Sequence, residues 1–117
     1  MTTREIGQAW IDAFNARELD RLVGLYAVDA HHTSPKLRAR QPETGGRIVG
    51  RPALRAWWAD SFDRMPGLRY ELVSITADDA RVFLEYLRHA PGEASYLVAE
   101  AFDVVGGQIV ASRVYHG

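Results

Sequence analysis

The 117-residue sequence contains no cysteine. That excludes disulfides, thiolate catalysis and cysteine-ligated zinc or iron–sulfur centres, and it fits a reducing compartment. It has almost no net charge: 14 Lys and Arg stand against 15 Asp and Glu, a formal balance of -1. With no excess of one sign there is no electrostatic footprint for nucleic acid or an anionic membrane. There is no apolar run of about 18 residues to span a bilayer, and MTTREIGQAW holds no apolar signal core. The expectation is a cytoplasmic protein with neither nucleic-acid nor membrane partners. Hydrophobic residues at 47% and charged residues at 25% are ordinary globular values. One domain covering residues 1–117, with one real core, is expected.

The helical signals lie early. In TTREIGQAWIDAFNA, Thr2 and Glu5 have capping-box spacing, and Ile6, Trp10, Ala13 and Phe14 make one apolar stripe. ELDRLVGLYAV predicts a second short helix with Leu19, Leu22, Val23 and Tyr26 on one face. A short strand is expected over Ala30–Ser34. KLRARQPETGGRIVG then reads as a basic loop with an extended piece at Arg47–Val49, the expected mobile segment and lid. RPALRAWWADSFDRMPG is the clearest helix, with Pro52 in its first turn and Pro66–Gly67 as its stop.

Four strand candidates follow with short connections: Leu68–Ala77, Arg81–His89, Ser95–Val105 and Gln108–His116. They predict an antiparallel meander, with Gly106–Gly107 supplying the last tight turn. The class is α+β, three helices packed on one face of an antiparallel sheet. Both faces of the meander carry apolar side chains. A sheet with helices on one side needs a polar outer face, so a partner is expected over it, most simply a second copy of the chain.

The stretch LYAVDAHHTSP, residues 25–35, holds two of the four histidines. On an extended strand His32 and Ser34 share a face while His31 points the other way. Glu100 lies in the row Tyr96, Val98, Glu100, Phe102, Val104. A carboxylate among such neighbours must be paired, hydrogen-bonded or protonated, with Arg113 or His116 as candidate partners or a cavity as its setting. Glu85 is open to the same two readings. His31 and His32 are too close for an ordinary metal-ligand pair and no H-x-x-x-H motif occurs, so no metal is expected. ETGGRIVGR lacks the phosphate-loop pattern. Trp57 and Trp58 read as core and pocket wall rather than a base-stacking platform.

The order helix–helix–short strand–helix–meander, with L-Y-A-x-D-A, the strand and Pro35, and G-R-x-A-L before an aromatic helix, resembles the nuclear transport factor 2-like superfamily. The closer resemblance is to its SnoaL-like branch of polyketide cyclases, ketosteroid isomerases and limonene-epoxide hydrolases, and it covers essentially the whole chain. It implies a cone in which a strongly curved sheet wraps the helices around a pocket, a homodimer formed through the sheet, and no cofactor. Carried across, the isomerases' helix-1 tyrosine falls on Trp10, their general-base aspartate on Ser34, and their oxyanion-side acid on Glu100. Two of those three roles are missing, which speaks against ketosteroid isomerisation by that route. The hydrolases' Asp–Arg–Asp set has its chemical counterparts in Glu85, Glu100 and Arg113. The cyclases' proton-shifting groups have theirs in His32 with Glu100 or His116.

Three readings follow. One is a small cofactor-independent isomerase, cyclase or hydrolase acting on an apolar carbonyl or epoxide compound, with His32 accepting a proton near neutral pH and Glu100 orienting it or carrying the second step. Another is a non-catalytic binder of such a molecule. The third is a dimeric structural or interaction module. The expected pocket wall is Trp10, Phe14, Ser34, Trp58, Phe62, Tyr96, Phe102 and His116, which suits an apolar ligand.

Overall fold

In the computed structural model, which describes residues 1–116, helix α1 spans Thr3–Asn15. Its start is the capping box the sequence predicts: the Thr2 hydroxyl accepts from the Glu5 amide at 3.1 Å and the Glu5 carboxylate accepts from the Thr2 amide at 2.7 Å. Its apolar stripe, Ile6, Trp10, Ala13 and Phe14, is buried. At Gly7 a Cβ would lie 2.7 Å from a Val82 methyl, so a side chain there would hold the helix off the sheet.

Helix α2 is shorter than the sequence period suggests. It covers Leu19–Gly24, and strand β1 takes over at Tyr26 and runs to Thr33. The four residues from Leu25 fit a helical period, but pairing with the last strand outweighs local propensity. Tyr26 is fully buried as a strand residue, while Val28 turns out to solvent.

The stretch expected to be a loop is largely built. Ser34 caps helix α3, Pro35–Arg40, by accepting from the Leu37 amide at 3.1 Å, and Pro35 occupies the first turn. Proline there gives up no needed hydrogen bond. A single 3-10 turn, Pro42–Thr44, leads to the expected extended piece, β2, Arg47–Val49. Helix α4 covers Arg51–Arg64.

Strands β3 (Arg69–Ala77), β4 (Arg81–His89), β5 (Tyr96–Val105) and β6 (Gln108–His116) form the predicted meander. Gly106 and Gly107, at φ 59° and 77°, make the two-residue turn between the last two. The sheet order is β2-β1-β6-β5-β4-β3. One expectation needs correction: the sheet is mixed, not antiparallel throughout, because β1 lies parallel to β6. Residues 34–107 separate those strands, so no tight turn dictates their direction. Register shifts between Leu72 and Ser74, between Asp103 and Val104, and along β1 between Tyr26 and His31 bend the sheet. The helices lie on the concave side, with α1 against β3 and β4 and α4 against β1. Among the described residues no helix is long and apolar enough to cross a membrane.

Candidate active site

The register decides which side chains meet. On β4, Val82, Leu84, Tyr86 and Arg88 face inward; on β5 the inward row is Val98, Glu100, Phe102 and Val104. Along β6 strict alternation fails at the bulge. Ile109 is buried opposite Val104, and then Ser112 and Val114 stand opposite Phe102 and Glu100. Between this face and helices α1, α3 and α4 lies a cavity of about 340 Å³. Trp10, Trp58, Tyr70, Tyr86 and Val98 make most of its apolar wall. Trp10 is the hub, stacked on Phe14 at 5.4 Å and on Tyr70 at 6.0 Å, with Trp58 edge-on at 6.4 Å.

Glu100 lines this cavity and is almost completely buried. Tyr86 donates its hydroxyl to Oε1 at 2.8 Å, and Oε2 has no partner. Burial pushes the carboxyl up to about 8, against the opposing pull of the Tyr86 hydrogen bond. The candidate partners from the sequence do not reach it. Arg113 is held by Asp103 at 2.8 Å, and β5 places Asp103 on the opposite face from Glu100. Glu85 stands opposite Ala99, again on the outer face, where it accepts from Ser74 at 3.0 Å. The acid–arginine–acid set of Glu85, Arg113 and Glu100 is therefore split across the sheet, and the hydrolase arrangement does not form.

His32 is the second polar group of the wall, buried and 5.3 Å from Trp58 between ring centres. A chain of hydrogen bonds leads to its ring. Trp10 Nε1 donates to the Tyr26 hydroxyl at 3.1 Å, and Tyr26 donates to Ser112 Oγ at 2.9 Å. Ser112 has one proton left to give, and His32 Nδ1 lies 2.6 Å away. The ring's tautomer sets which of the two donates, and Nε2 has no hydrogen-bond partner among the described residues. Burial, helped by the neighbouring His31, brings the pKa of His32 down to about 3. A lowered pKa favours the neutral ring, a state suited to hydrogen bonding within the cavity. No hydrogen bond joins it to Glu100, so Glu100 does not orient it. His31 points away from the cavity wall, and burial followed by the charges of Arg47 and Arg113 lowers its pKa.

Of the expected wall residues, Trp10, Phe14, Ser34, Trp58 and His116 line the cavity. Ser34 does so with its hydroxyl occupied as the α3 cap. Three do not line it. Phe62 packs edge-on against Phe14 at 5.2 Å on the far side of the helix pair, under the Arg17 guanidinium. Phe102 is fully buried behind Trp10, 5.4 Å away. Tyr96 stands outside the wall, against His116 at 5.5 Å and the Arg88 guanidinium at 5.4 Å. Sequence reading missed Tyr26, Tyr86 and Ser112. The available signal was the demand itself: a buried carboxylate and a buried imidazole each require a donor from a neighbouring strand.

The SnoaL-like domain pattern matches residues 8–112, and the chain belongs to that family. No curated protein matches it significantly in sequence. Among solved structures it is similar to a SnoaL-like protein of unknown function from Burkholderia thailandensis, at 25% identity and a TM-score of 0.86, covering 98% of this chain and 94% of that one. A Sinorhizobium meliloti protein assigned as a polyketide cyclase shares 19% identity and a TM-score of 0.79, over 95% and 94% of the two chains. A Kribbella flavida protein assigned as a ketosteroid isomerase also shares 19% identity at a TM-score of 0.79, over 98% and 77%. These likenesses establish the nuclear transport factor 2-like fold; the latter two, at 19% identity, speak to fold alone.

Proposed function

We propose that the cavity carries out cofactor-independent proton transfer on a small apolar carbonyl compound, an isomerase- or cyclase-type reaction. The observation behind this reading is Glu100: a buried carboxyl, half-satisfied and facing a cavity, its pKa pushed up to about 8 by burial. A structural carboxylate at such a depth needs both oxygens paired. One with an oxygen left for a ligand and a pKa close to neutral suits an acid–base catalyst.

In the proposed step ionised Glu100 takes a proton from the carbon beside the carbonyl. The bond electrons move into the enolate, and the His32 Nε2–H donates to the oxygen where charge develops. A neutral imidazole serves as that donor without needing to be charged. Glu100 then returns the proton at another carbon, or the enolate carbon attacks a second carbonyl within the same molecule and closes a ring, and Glu100 gives its proton to the alkoxide that forms. Tyr86 holds the carboxyl in place.

The test is hydrogen–deuterium exchange at the α-carbon of 2-tetralone in heavy water, followed by proton NMR. Exchange above background that disappears in E100Q supports the reading. Saturable binding of the ketone with no enhanced exchange would replace it with the non-catalytic binder.

The outer sheet face bears on assembly. Phe83, Leu97 and Tyr115 are exposed there. The register puts Ala101 opposite Phe83, Leu87 opposite Leu97 and Ala99 opposite Tyr115, apolar pairs across three strands interrupted by Glu85 and the Arg113–Asp103 ion pair. This face supports a homodimer through the sheet.

A further inference from the structure

The cavity has one charged end that proton transfer at Glu100 does not use. Lys36, Arg40, Arg64 and Arg88 all line it, against the carboxyls of Glu93 and Glu100. Arg40 and Arg64 share Asp60, at 3.5 and 2.8 Å, so their charge is largely answered. Lys36 makes no ion pair among the described residues. Arg88 is the unusual one, with its side chain only 6% exposed.

A buried guanidinium needs partners for five N–H groups. Arg88 has two, one of them weak. Nη1 donates to Glu93 at 3.0 Å, but Glu93 sits on the turn between β4 and β5 with nearly half of its side chain in solvent. Nη2 donates to the Met65 thioether at 3.4 Å, and sulfur is a poor acceptor. The face of the guanidinium rests near the Tyr96 ring. Nε has no hydrogen-bond partner among the described residues, Nη1 and Nη2 have one each, and Arg88 belongs to the cavity wall. His116 reports the same field: after burial, the charges of Lys36 and Arg88 lower its pKa.

We propose that the ligand of this cavity is an apolar carbonyl compound that also carries a carboxylate, bound by Arg88 with Lys36 beside it. This rests on the reading of the cavity as the proton-transfer site and narrows its substrate class to small apolar keto acids. The planar fork of Arg88 matches a carboxylate two bonds at a time. Its distance from solvent makes that pairing count for more than a surface ion pair does. Arg88 and His32 line the same cavity, so one molecule would set its acid on Arg88 and its carbonyl on His32. Glu93 then acts as a stand-in anion that an entering carboxylate displaces.

The experiment compares 4-oxo-4-phenylbutanoate with 4-oxo-4-phenylbutanamide, equal in shape and differing in charge, by calorimetric titration of the full chain. The acid is expected to bind at least about 10-fold more tightly than the amide. R88M should erase that preference by weakening the acid alone. Where R88M fails to fold, E93Q on the exposed turn carries the test: removing the competing carboxylate should tighten acid binding about threefold or more. Equal affinities for acid and amide, binding of neither at millimolar concentration, or unchanged acid affinity in the variant used would each overturn the proposal. The affinities need no turnover. A lost preference with Glu100-dependent exchange intact refutes only the anion site. A preserved preference with no exchange refutes only the catalytic reading.

Discussion

Tyr86 and Glu100 stand on adjacent strands, and the phenol donates to one carboxyl oxygen at 2.8 Å while the other oxygen has no partner. The pair is half of a hydrogen-bonding arrangement. Tyr86 alone cannot keep the carboxyl ionised at that depth, so its pKa settles at about 8. The consequence for activity is a pH profile. If ionised Glu100 removes the proton, exchange of a bound ketone should rise about tenfold per pH unit below 8 and level off above it. E100Q should abolish the rise and lower the rate by at least about 100-fold. A profile flat between pH 6 and 9 would remove Glu100 from the chemistry.

Stability should follow the same groups. Glu100 is raised from 4.5 to about 8, so the unfolded chain releases this proton first and stability falls as pH climbs from about 4.5 to 8. His32 is lowered from 6.5 to about 3, so the unfolded chain gains a proton first and stability falls as pH drops from about 6.5 to 3. Between 4.5 and 6.5 the two slopes oppose each other. These groups therefore give a plateau there, with a loss of a few kcal/mol on the alkaline side. Urea denaturation across pH 4–9 checks it. E100Q should flatten the alkaline limb and extend the acid one, uncancelled, up to about pH 6.5.

The donor chain through Tyr26 and Ser112 makes a separate claim about His32. S112A removes the shared hydroxyl and leaves both the Tyr26 phenol and the His32 Nδ1 without it. A cost of about 1–3 kcal/mol is expected from the orphaned buried groups. Nitrogen NMR of the wild-type ring should show protonated Nε2 and bare Nδ1, and S112A should mix the tautomers. A wild-type signal from protonated Nδ1 would make His32 the donor to Ser112.

How much of this was legible in the sequence follows from how local each determinant is. The capping box, the α4 start at Pro52 and the Gly106–Gly107 turn are written in a few adjacent residues, and the structure has them where the sequence puts them. The fates of Tyr26 and Ser34 are not. Whether Tyr26 ends a helix or opens a strand depends on β6, more than 80 residues away in the chain. Glu100 was conspicuous because a charge among Tyr, Val and Phe violates a local pattern. The Tyr86 that serves it, and the split of Glu85 and Arg113 to the other face, appear only once register is known.

The apolar outer face predicts self-association. Sedimentation velocity should find a dimer at micromolar concentration, and L97E, which places a charge among Phe83, Leu87 and Tyr115, should shift it to monomer without loss of fold. A wild-type monomer at 100 micromolar would leave that face without a second copy.

Gly7 offers the last test, of the helix–sheet distance that sets the cavity. On helix propensity alone G7A should stabilise α1 by about 1 kcal/mol. Packing opposes this, since the added methyl would meet a Val82 methyl at 2.7 Å and a Leu84 methyl at 3.2 Å. Both neighbours are fully buried, so neither moves without disturbing the core. Overpacking of this kind costs about 1–3 kcal/mol, and the net expectation is destabilisation. Val82 and Leu84 lead along β4 directly to Tyr86, so a displaced α1 also widens the gap between Trp10 and the floor carrying Glu100. G7A combined with V82A should recover stability beyond the sum of the separate changes, because the pair shares one contact. Additive effects in that double-mutant cycle would show that α1 does not rest on Val82 at Gly7.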